Sequence, residues 1–268
     1  MTSFTPMYDN NIHPFQFRRS NDFDIEKYLY HYTTAGTAID CILPNKTLKF
    51  NRFMNLNDPK ESRFEDIITI EPSSSNIRPQ LVDYFRSQTK AVCFSCDILT
   101  DDFCSRGFAK PRMWASYGDN HKGICLVFDK EKLRTAICNN KDNEDIMLDG
   151  KISYGPSRDG LIHNCSDFED AKDYIINNPD YFFFYKHCDW HTENEYRFIL
   201  ITEGTNDQFL SFSDALVGIV VGMEVENSNI DKIIELSRSD IPVIQAIWGM
   251  GNQSAINILN PAAEHLRP

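Results

Sequence analysis

The chain has 268 residues, of which 41% are hydrophobic and 25% are charged, an ordinary composition for a globular protein. Its formal net charge of −12 at pH 7 repels nucleic acid as a whole, so binding nucleic acid would need a local basic patch. No apolar run is long enough to span a bilayer, and the N-terminus lacks a secretory signal, so we expect a cytoplasmic protein. Eight cysteines in such a chain indicate buried thiols rather than a disulfide framework.

Hydrophobic periodicity and turn residues predict one α+β domain over residues 28–260. Residues 1–27 show no period and are expected to form an irregular lead-in, and residues 261–268 a loose tail. The predicted strands cover residues 28–33, 47–50, 91–95, 123–129, 151–155, 195–202, 208–212, 216–223 and 243–249. The predicted helices cover residues 35–43, 78–89, 130–138, 168–177, 180–187 and 228–237, with a single helical turn at 113–119.

Glu193 and Glu195 stand two residues apart at the entrance of the predicted strand 195–202. A period of two places both carboxylates on one face of that strand. Adjacent like charges repel, which raises at least one pKa unless a cation or a substrate hydroxyl lies between them. The pair is therefore either a catalytic carboxylate with a helper or an exposed strand end, and Arg197 on the same face can neutralise it in both cases.

His31 and Thr33 share one face of the first predicted strand, in the segment "LYHYT". A histidine and a threonine at a strand end form a compact donor and acceptor pair for hydroxyls or an amide, although a single histidine is also common in a satisfied core. Trp114 and Tyr117 lie three residues apart on one face of the turn at 113–119, where they can stack on a planar ring or simply pack.

A metal site is an alternative that the cysteines and histidines leave open. Cys93 and Cys96 form a Cys-x-x-Cys pair, and Cys188 and His191 form a Cys-x-x-His pair, which together can close a tetrahedral zinc site. Against this, Cys93 lies in an apolar strand, and the two pairs are much farther apart in sequence than in compact zinc modules.

An ordered set of segments resembles the bacterial family DUF2971, a domain of unknown function. The segments, which extend over residues 28–223, are "LYHYT", "IDCIL", "TLKFNRFMNLNDPKE", "CFSCD", "MWASYGDNHKGICLVFD", "ISY", "FYKH", "ENEYRF" and "VGIVVG". The opening block is also similar to the start of the ADP-ribosyltransferase fold, including DarT-like enzymes, where His-x-Thr on the first strand is followed much later by a catalytic glutamate. This resemblance implies split sheets around a central cleft, with short flanking helices.

The resemblance also implies roles for individual residues. His31 would bond a ribose hydroxyl of NAD, Thr33 the nicotinamide amide region, and Glu195 the hydroxyl of the nicotinamide ribose. Ser95 would correspond to the strand serine of one transferase subgroup, and Tyr32 stands where many such enzymes have glycine. The catalytic candidates are Glu195, His31 and Glu193, and the candidate NAD contacts are Thr33, Tyr32, Ser95, Trp114, Tyr117, Arg197 and Asn57.

The function implied by this resemblance is cleavage of NAD and transfer of ADP-ribose to a macromolecule or to water, by a toxin or a phage-defence effector. NAD is the expected substrate, no metal is expected, and the acceptor is a protein or a nucleic acid. The alternatives are a non-catalytic module that binds a nucleotide or a protein partner through the same cleft, and a zinc-dependent enzyme.

Overall fold

A computed structural model of the chain describes residue 15 and residues 26–58, 71–72, 76–98, 106–156, 164–204, 206–248 and 254–266. The strands are β1 (Tyr28–Thr33), β2 (Thr47–Arg52), β3 (Glu71–Pro72), β4 (Thr89–Cys96), β5 (Ile124–Asp129), β6 (Ile146–Lys151), β7 (Ser153–Gly155), β8 (Asn164–Cys165), β9 (Tyr185–His187), β10 (Glu195–Ile201), β11 (Gln208–Ser211), β12 (Leu216–Val221), β13 (Val243–Trp248) and β14 (Ser254–Ile258).

The helices are α1, made of Ala35–Thr37, a π turn Ala38–Ile42 and Leu43–Asn45, then α2 (Ile77–Gln88), α3 (Pro111–Ser116), α4 (Lys130–Asn140), α5 (Phe168–Asn177), α6 (Pro179–Phe182) and α7 (Asn227–Leu236). The 3-10 helices among the described residues cover Phe53–Asn55, Cys188–Glu193 and Pro261–Leu266. No helix in the described ranges is long and apolar enough to cross a membrane. The seven cysteines in these ranges are free thiols.

A ten-stranded, mostly antiparallel sheet forms the centre of the fold. Its order is β11-β2-β4-β1-β5-β12-β13-β14, and β10 pairs with both β4 and β6. The β12 and β13 pair is parallel. This large, mostly antiparallel sheet, together with the helices, confirms the predicted α+β class.

The sheet is split along one edge of β4. On its other edge β4 pairs with β10 along all but its last residue, from Thr89 to Ser95. On the split edge β2 pairs only near the start of β4, opposite Lys90 and Ala91, and β1 pairs only near its end, opposite Ser95 and Cys96. The intervening residues 92–94 carry no strand partner on that edge, so β1 and β2 diverge there and open a wedge, which α1 spans because it connects the two strands.

Helices cover both faces of the sheet. One hydrophobic cluster joins Phe94, Phe128 and Phe198 to residues of α1, α4 and α7. On the other face, a second cluster joins strand residues such as Ile199 to residues of α2 and α5. Burial of these apolar side chains fixes the strand register, because a slip of one residue would exchange the two faces.

The predicted helix over 180–187 is wrong. Helix α6 ends at Phe182, and the chain continues as β9 and a 3-10 helix. Phe182, Phe183 and Phe184 are all buried, and three consecutive side chains cannot lie on the same face of one helix.

Four strands and the end of the chain also differ from expectation. Strands β3, β8 and β14 lie where no strand was predicted. Of β6, only the last residue falls within the predicted strand 151–155, which also covers β7. Among the described residues β6 pairs with β10 alone and so lies at an edge of the sheet, and none of its residues is fully buried, which fits a sequence without apolar alternation. Where a loose tail was expected, Pro261–Leu266 forms a 3-10 helix with Ala263 fully buried.

Candidate functional site

A cavity of about 720 Å³, called here the main cavity, occupies the split between β1 and β2. Residues Val92, Cys93 and Phe94 of β4 line it where that strand has no partner on the split edge. Three elements contribute side chains with polar or thiol groups to its walls: His31 and Thr33 of β1, Thr37, Cys41 and Asn45 of α1, and Thr47, Lys49 and Asn51 of β2. Glu193, Glu195 and Lys186 complete the lining.

His31 is fixed at the split by the backbone of β4. Its Nδ1 donates to the carbonyl oxygen of Cys93 at 3.0 Å, which leaves Nε2 as the acceptor of a neutral ring. Burial lowers the pKa of His31 below its usual 6.5. The imidazole is therefore neutral at pH 7 and offers an acceptor to a ligand hydroxyl.

The strand register directs the side chains of His31 and Glu195 to opposite faces of the sheet. Glu195 lies opposite Ser95 on β4, and Ser95 lies opposite Tyr30 on β1, so these three share a face. His31, the next residue after Tyr30, points to the other face. Both His31 and Glu195 nevertheless line the main cavity, because the cavity lies in the gap between the diverging strands.

Lys186 brings the two carboxylates together. Its Nζ donates to Glu193 Oε2 at 2.8 Å and to Glu195 Oε2 at 2.8 Å, and all three side chains are buried. The predicted period-two arrangement is wrong for Glu193, which ends a 3-10 helix rather than lying on β10. Asn194 between them has φ 45°, a left-handed conformation that asparagine tolerates, and its Nδ2 donates to the carbonyl oxygens of Cys96 and Asp97.

Arg197 is the second cation of this cluster. It is fully buried, and its guanidinium contacts both carboxylate oxygens of Glu195, with Nη2 to Oε2 at 3.1 Å. Burial alone would raise the pKa of Glu195, but Arg197 and Lys186 outweigh it and hold the pKa at about 2. The thiol of Cys93 adds a hydrogen bond to the same carboxylate. Two cations and two carboxylates thus form a neutral ionic cluster in which Glu195 is ionised.

Tyr117 and Asn57 extend this cluster to the cavity wall. The phenol of Tyr117 donates to Glu193 Oε1 at 2.5 Å, and it accepts from Asn57 Nδ2 at 2.9 Å. Burial, followed by the Glu193 charge, raises the pKa of Tyr117 well above its usual value, so the phenol is neutral and acts as a donor. Both residues line the main cavity.

Ser95 holds the backbone next to the carboxylates. Its hydroxyl donates to the carbonyl oxygen of Glu193 at 2.7 Å and accepts from Lys110 Nζ at 2.7 Å. Lys110 is buried, which lowers its pKa to about 8. These two hydrogen bonds fix the backbone of residue 193, and Ser95 also lines the main cavity.

The structure places Trp114 and the side chain of Tyr32 in the core. Trp114 is fully buried, its Nε1 donates to the carbonyl oxygen of Phe108 at 2.7 Å, and it does not line the main cavity. The Tyr32 ring packs edge-on against Trp114 at 5.1 Å, and its hydroxyl donates to the carbonyl oxygen of Gly107. The expectation that Trp114 stacks on a ligand is therefore wrong, since the alternation that puts His31 at the cavity puts Tyr32 against this indole.

The four residues of the zinc alternative do not come together. Cys93 hydrogen-bonds to Glu195, whereas Cys96, three residues farther along β4, packs on the opposite face in the core with Leu29. In the part of the chain that the structure describes, His187, Cys188 and Asp189 are the group whose ligand atoms lie within 4.8 Å. The His187 ring there caps a 3-10 helix by accepting from the N–H of Asp189.

Lys186 is the functional candidate that sequence reasoning missed. It follows the aromatic run "YFFFY", which was predicted to be part of a helix. A signal was present, since a lysine directly after five aromatic residues is placed next to a core and is rarely buried without carboxylate partners.

The profile of one protein family, described as Protein of unknown function (DUF2971), matches residues 113–198. The predicted resemblance to DUF2971 is confirmed over this region. The DUF2971 region contains Tyr117, Lys186, Glu193, Glu195 and Arg197, so the whole ionic cluster lies within it. His31, Thr33 and the rest of the opening block lie outside the match. No curated protein and no solved structure matches the chain.

Proposed function

We propose that this protein is an ADP-ribosyltransferase-like enzyme that cleaves the nicotinamide–ribose bond of NAD and transfers ADP-ribose to a macromolecule or to water. The observation that carries the proposal is that Glu193 and Glu195, bridged by Lys186, line the same cavity as His31 and Thr33. The split sheet around that cavity supports the ADP-ribosyltransferase-like architecture that the opening block implies.

The β1 side of the main cavity suits the sugar and the carboxamide of the donor. His31 Nε2 accepts from a ribose hydroxyl, and Thr33 lies two residues farther along the same face. Backbone groups of Tyr32 can also bind the carboxamide. Every second residue of a strand directs its N–H and C=O to the same edge, and Tyr30 directs these groups toward β4. The Tyr32 N–H and C=O therefore border the split, where they can pair with a primary amide.

The carboxylates suit the charge that develops during cleavage. When the bond between ribose C1′ and the nicotinamide nitrogen breaks, its electron pair leaves with nicotinamide, and positive charge develops on the ribose as in glycoside cleavage. Glu195 accepts the hydrogen bond of a ribose hydroxyl and Glu193 adds a second negative charge. A preorganised group of this kind contributes on the order of 3 to 4 kcal/mol.

Two features of the cluster keep the carboxylates ready for this role. Lys186 and Arg197 keep Glu195 ionised, and Lys186 offsets the repulsion between Glu193 and Glu195. The transfer then completes when an acceptor oxygen or nitrogen forms a bond to C1′ and gives up its proton, which yields ADP-ribosylated acceptor, nicotinamide and a proton.

The test is release of nicotinamide from NAD labelled in that ring. The wild-type protein should release nicotinamide, and Glu195→Gln should abolish the release. Glu235→Gln, which changes an exposed glutamate of α7, is the matched control and should keep the wild-type rate. Equal release by wild type and Glu195→Gln defeats the catalytic assignment.

A toxin or a phage-defence effector would use this chemistry to deplete NAD or to modify a cellular macromolecule. Induced expression of the wild-type chain in a bacterial host should then slow growth and lower the NAD content, and Glu195→Gln should do neither. Slow growth with the Glu195→Gln variant as well would count against this role.

A second candidate, a non-catalytic nucleotide-binding module, is favoured by one observation. Both carboxylate oxygens of Glu195 already contact Arg197, and Oε2 also contacts Lys186, which weakens the field that Glu195 exerts on a ligand. Such a module would be protected by NAD against thermal unfolding without any turnover.

A further inference from the structure

A second cavity of about 340 Å³ adjoins the main cavity. The two cavities share Asn57, Met113, Tyr117 and Glu193 in their linings. The hydrogen-bonded pair of Tyr117 and Glu193 therefore forms a common wall, with one cavity on each side. A second reactant can reach Glu193 from the second cavity while a first reactant occupies the main cavity.

Trp190 and Arg112 give the second cavity its chemical character. Trp190 is partly exposed and, of the two cavities, lines the second one alone. Lys186 Nζ lies 5.1 Å from the centroid of the Trp190 ring, but Lys186 lines the main cavity alone. Arg112 is exposed and donates to Thr192 Oγ1 at 3.2 Å, and it forms no ion pair with an acid in the described ranges. An accessible indole and an accessible guanidinium are therefore available together for a ligand that has both a flat ring and a negative charge.

We infer that the second cavity is the acceptor subsite and that the acceptor is a nucleoside monophosphate, with its base on Trp190 and its phosphate on Arg112. This inference rests on the proposed NAD reaction and replaces the macromolecular acceptor of that proposal by a free nucleotide. The volume is near the lower end of the range for small-molecule pockets, about 300 to 1,000 Å³, and suits one nucleotide. A net charge of −12 opposes the approach of a nucleic-acid polymer, so the free nucleotide is favoured over a strand.

Glu193 supplies the base that the acceptor needs. It is the only carboxylate in the described lining of the second cavity, and its oxygens face both Tyr117 and Lys186. The acceptor hydroxyl or ring nitrogen loses its proton to Glu193 and bonds to ribose C1′, while the electron pair of the broken C1′–N bond leaves with nicotinamide. The proton then passes to solvent, and no further reactant is needed.

The first experiment measures binding of uridine 5′-monophosphate by calorimetry. This nucleotide lacks adenine and therefore does not mimic the adenosine half of NAD. Trp190→Ala and Arg112→Ala should each raise its Kd by roughly tenfold or more. Lys122→Ala, which removes an exposed positive charge outside both cavities, is the control and should leave the Kd unchanged. Saturation of the main cavity with ADP-ribose should not displace the nucleotide.

The second experiment separates the acceptor site from the NAD reaction. With NAD and the nucleotide together, Trp190→Ala and Arg112→Ala should form roughly tenfold less ADP-ribosylated nucleotide than wild type. Their loss in nucleotide transfer should exceed by roughly tenfold any loss in nicotinamide release to water, which is measured on the same variants without the nucleotide. Equal losses in both reactions count against a separate acceptor site.

The two proposals fail in different ways. No binding of the nucleotide, or equal Kd values for wild type and both variants, overturns the acceptor site even if nicotinamide is released. Nucleotide binding that depends on Trp190 and Arg112, without any nicotinamide release by wild type, overturns the NAD reaction and retains the nucleotide site.

Discussion

Replacing Lys186 by methionine tests the ionic cluster directly. The change keeps the side-chain length and removes the charge that lies 2.8 Å from both carboxylates. Removing one partner of a buried ion pair costs about 3 to 5 kcal/mol, because the other charge is left buried without compensation. Glu195 keeps Arg197, whereas among the described residues Glu193 keeps the hydrogen bond from the phenol of Tyr117, which in turn accepts from Asn57. We expect the free energy of unfolding at pH 7 to fall by about 3 kcal/mol.

The pH dependence gives this prediction its sign. The pKa of Glu195 is held at about 2 in the folded chain, against an ordinary 4.5. A carboxyl whose folded pKa is lowered stabilises the protein above its unfolded pKa, and that stabilisation is lost as pH falls toward the folded pKa. The difference between the ordinary and the folded pKa of Glu195 corresponds to roughly 3 kcal/mol of stability. Because Lys186 contributes to it, the deficit of Lys186→Met should be largest above pH 4.5 and should shrink as pH falls from 4.5 toward 2.

The assay is urea unfolding of wild type and Lys186→Met at pH 7 and at about pH 3, which lies between the two pKa values. Lys232→Met, in an exposed position of α7, is the control and should change stability by less than about 0.5 kcal/mol. The double variant Lys186→Met with Glu193→Gln should recover most of the loss, since it restores a neutral cluster. A deficit that is below about 1 kcal/mol at pH 7, or is equal at both pH values, refutes the role of Lys186 as the bridge.

Three further outcomes are expected. Trp114→Ala should lower the free energy of unfolding by about 3 to 5 kcal/mol in urea titrations, because the indole is packed in the hydrophobic core. The NAD affinity of the folded variant, measured by calorimetry, should equal that of wild type. Tyr117→Phe should lower kcat for nicotinamide release roughly tenfold to a hundredfold, the effect of losing a hydrogen bond to a charged group, and an unchanged kcat would contradict the assignment. The NMR titration of the His31 Cε1 proton should have its midpoint below 6.5, because burial lowers the pKa of this ring, and a midpoint above 6.5 would disprove the neutral ring.

Local sequence patterns predicted most of the central sheet, because strand period and turn residues are local signals. Strand β1 was predicted with its observed bounds, and the alternation of Leu29, His31 and Thr33 against Tyr30 and Tyr32 follows directly from a period of two. Strands without such alternation could not be found this way. Strand β6 is an example, since it lies at an edge and is only half-buried.

The site was predicted as separate pairs, and its assembly depends on contacts that a sequence does not display. The 3-10 turn that ends at Glu193 and the left-handed Asn194 are set by tertiary hydrogen bonds, such as those from Asn194 Nδ2 to the end of β4. Lys186 reaches the carboxylates because β9 lies beside β7 and leads into that turn, a pairing between distant segments. Spacing alone therefore identified Glu193 and Glu195 and gave the wrong reason for their proximity.

Cys93 connects the His31 side of the site to the Glu195 side. Its carbonyl oxygen accepts from His31, and its thiol hydrogen-bonds to Glu195, so one residue of β4 contacts the ligand candidates of both β1 and β10. The three strands belong to one sheet, and their relative positions are fixed by backbone hydrogen bonds rather than by loops. A site supported in this way keeps its spacing when a ligand enters, which is the condition under which a carboxylate can stabilise a developing charge without first reorganising.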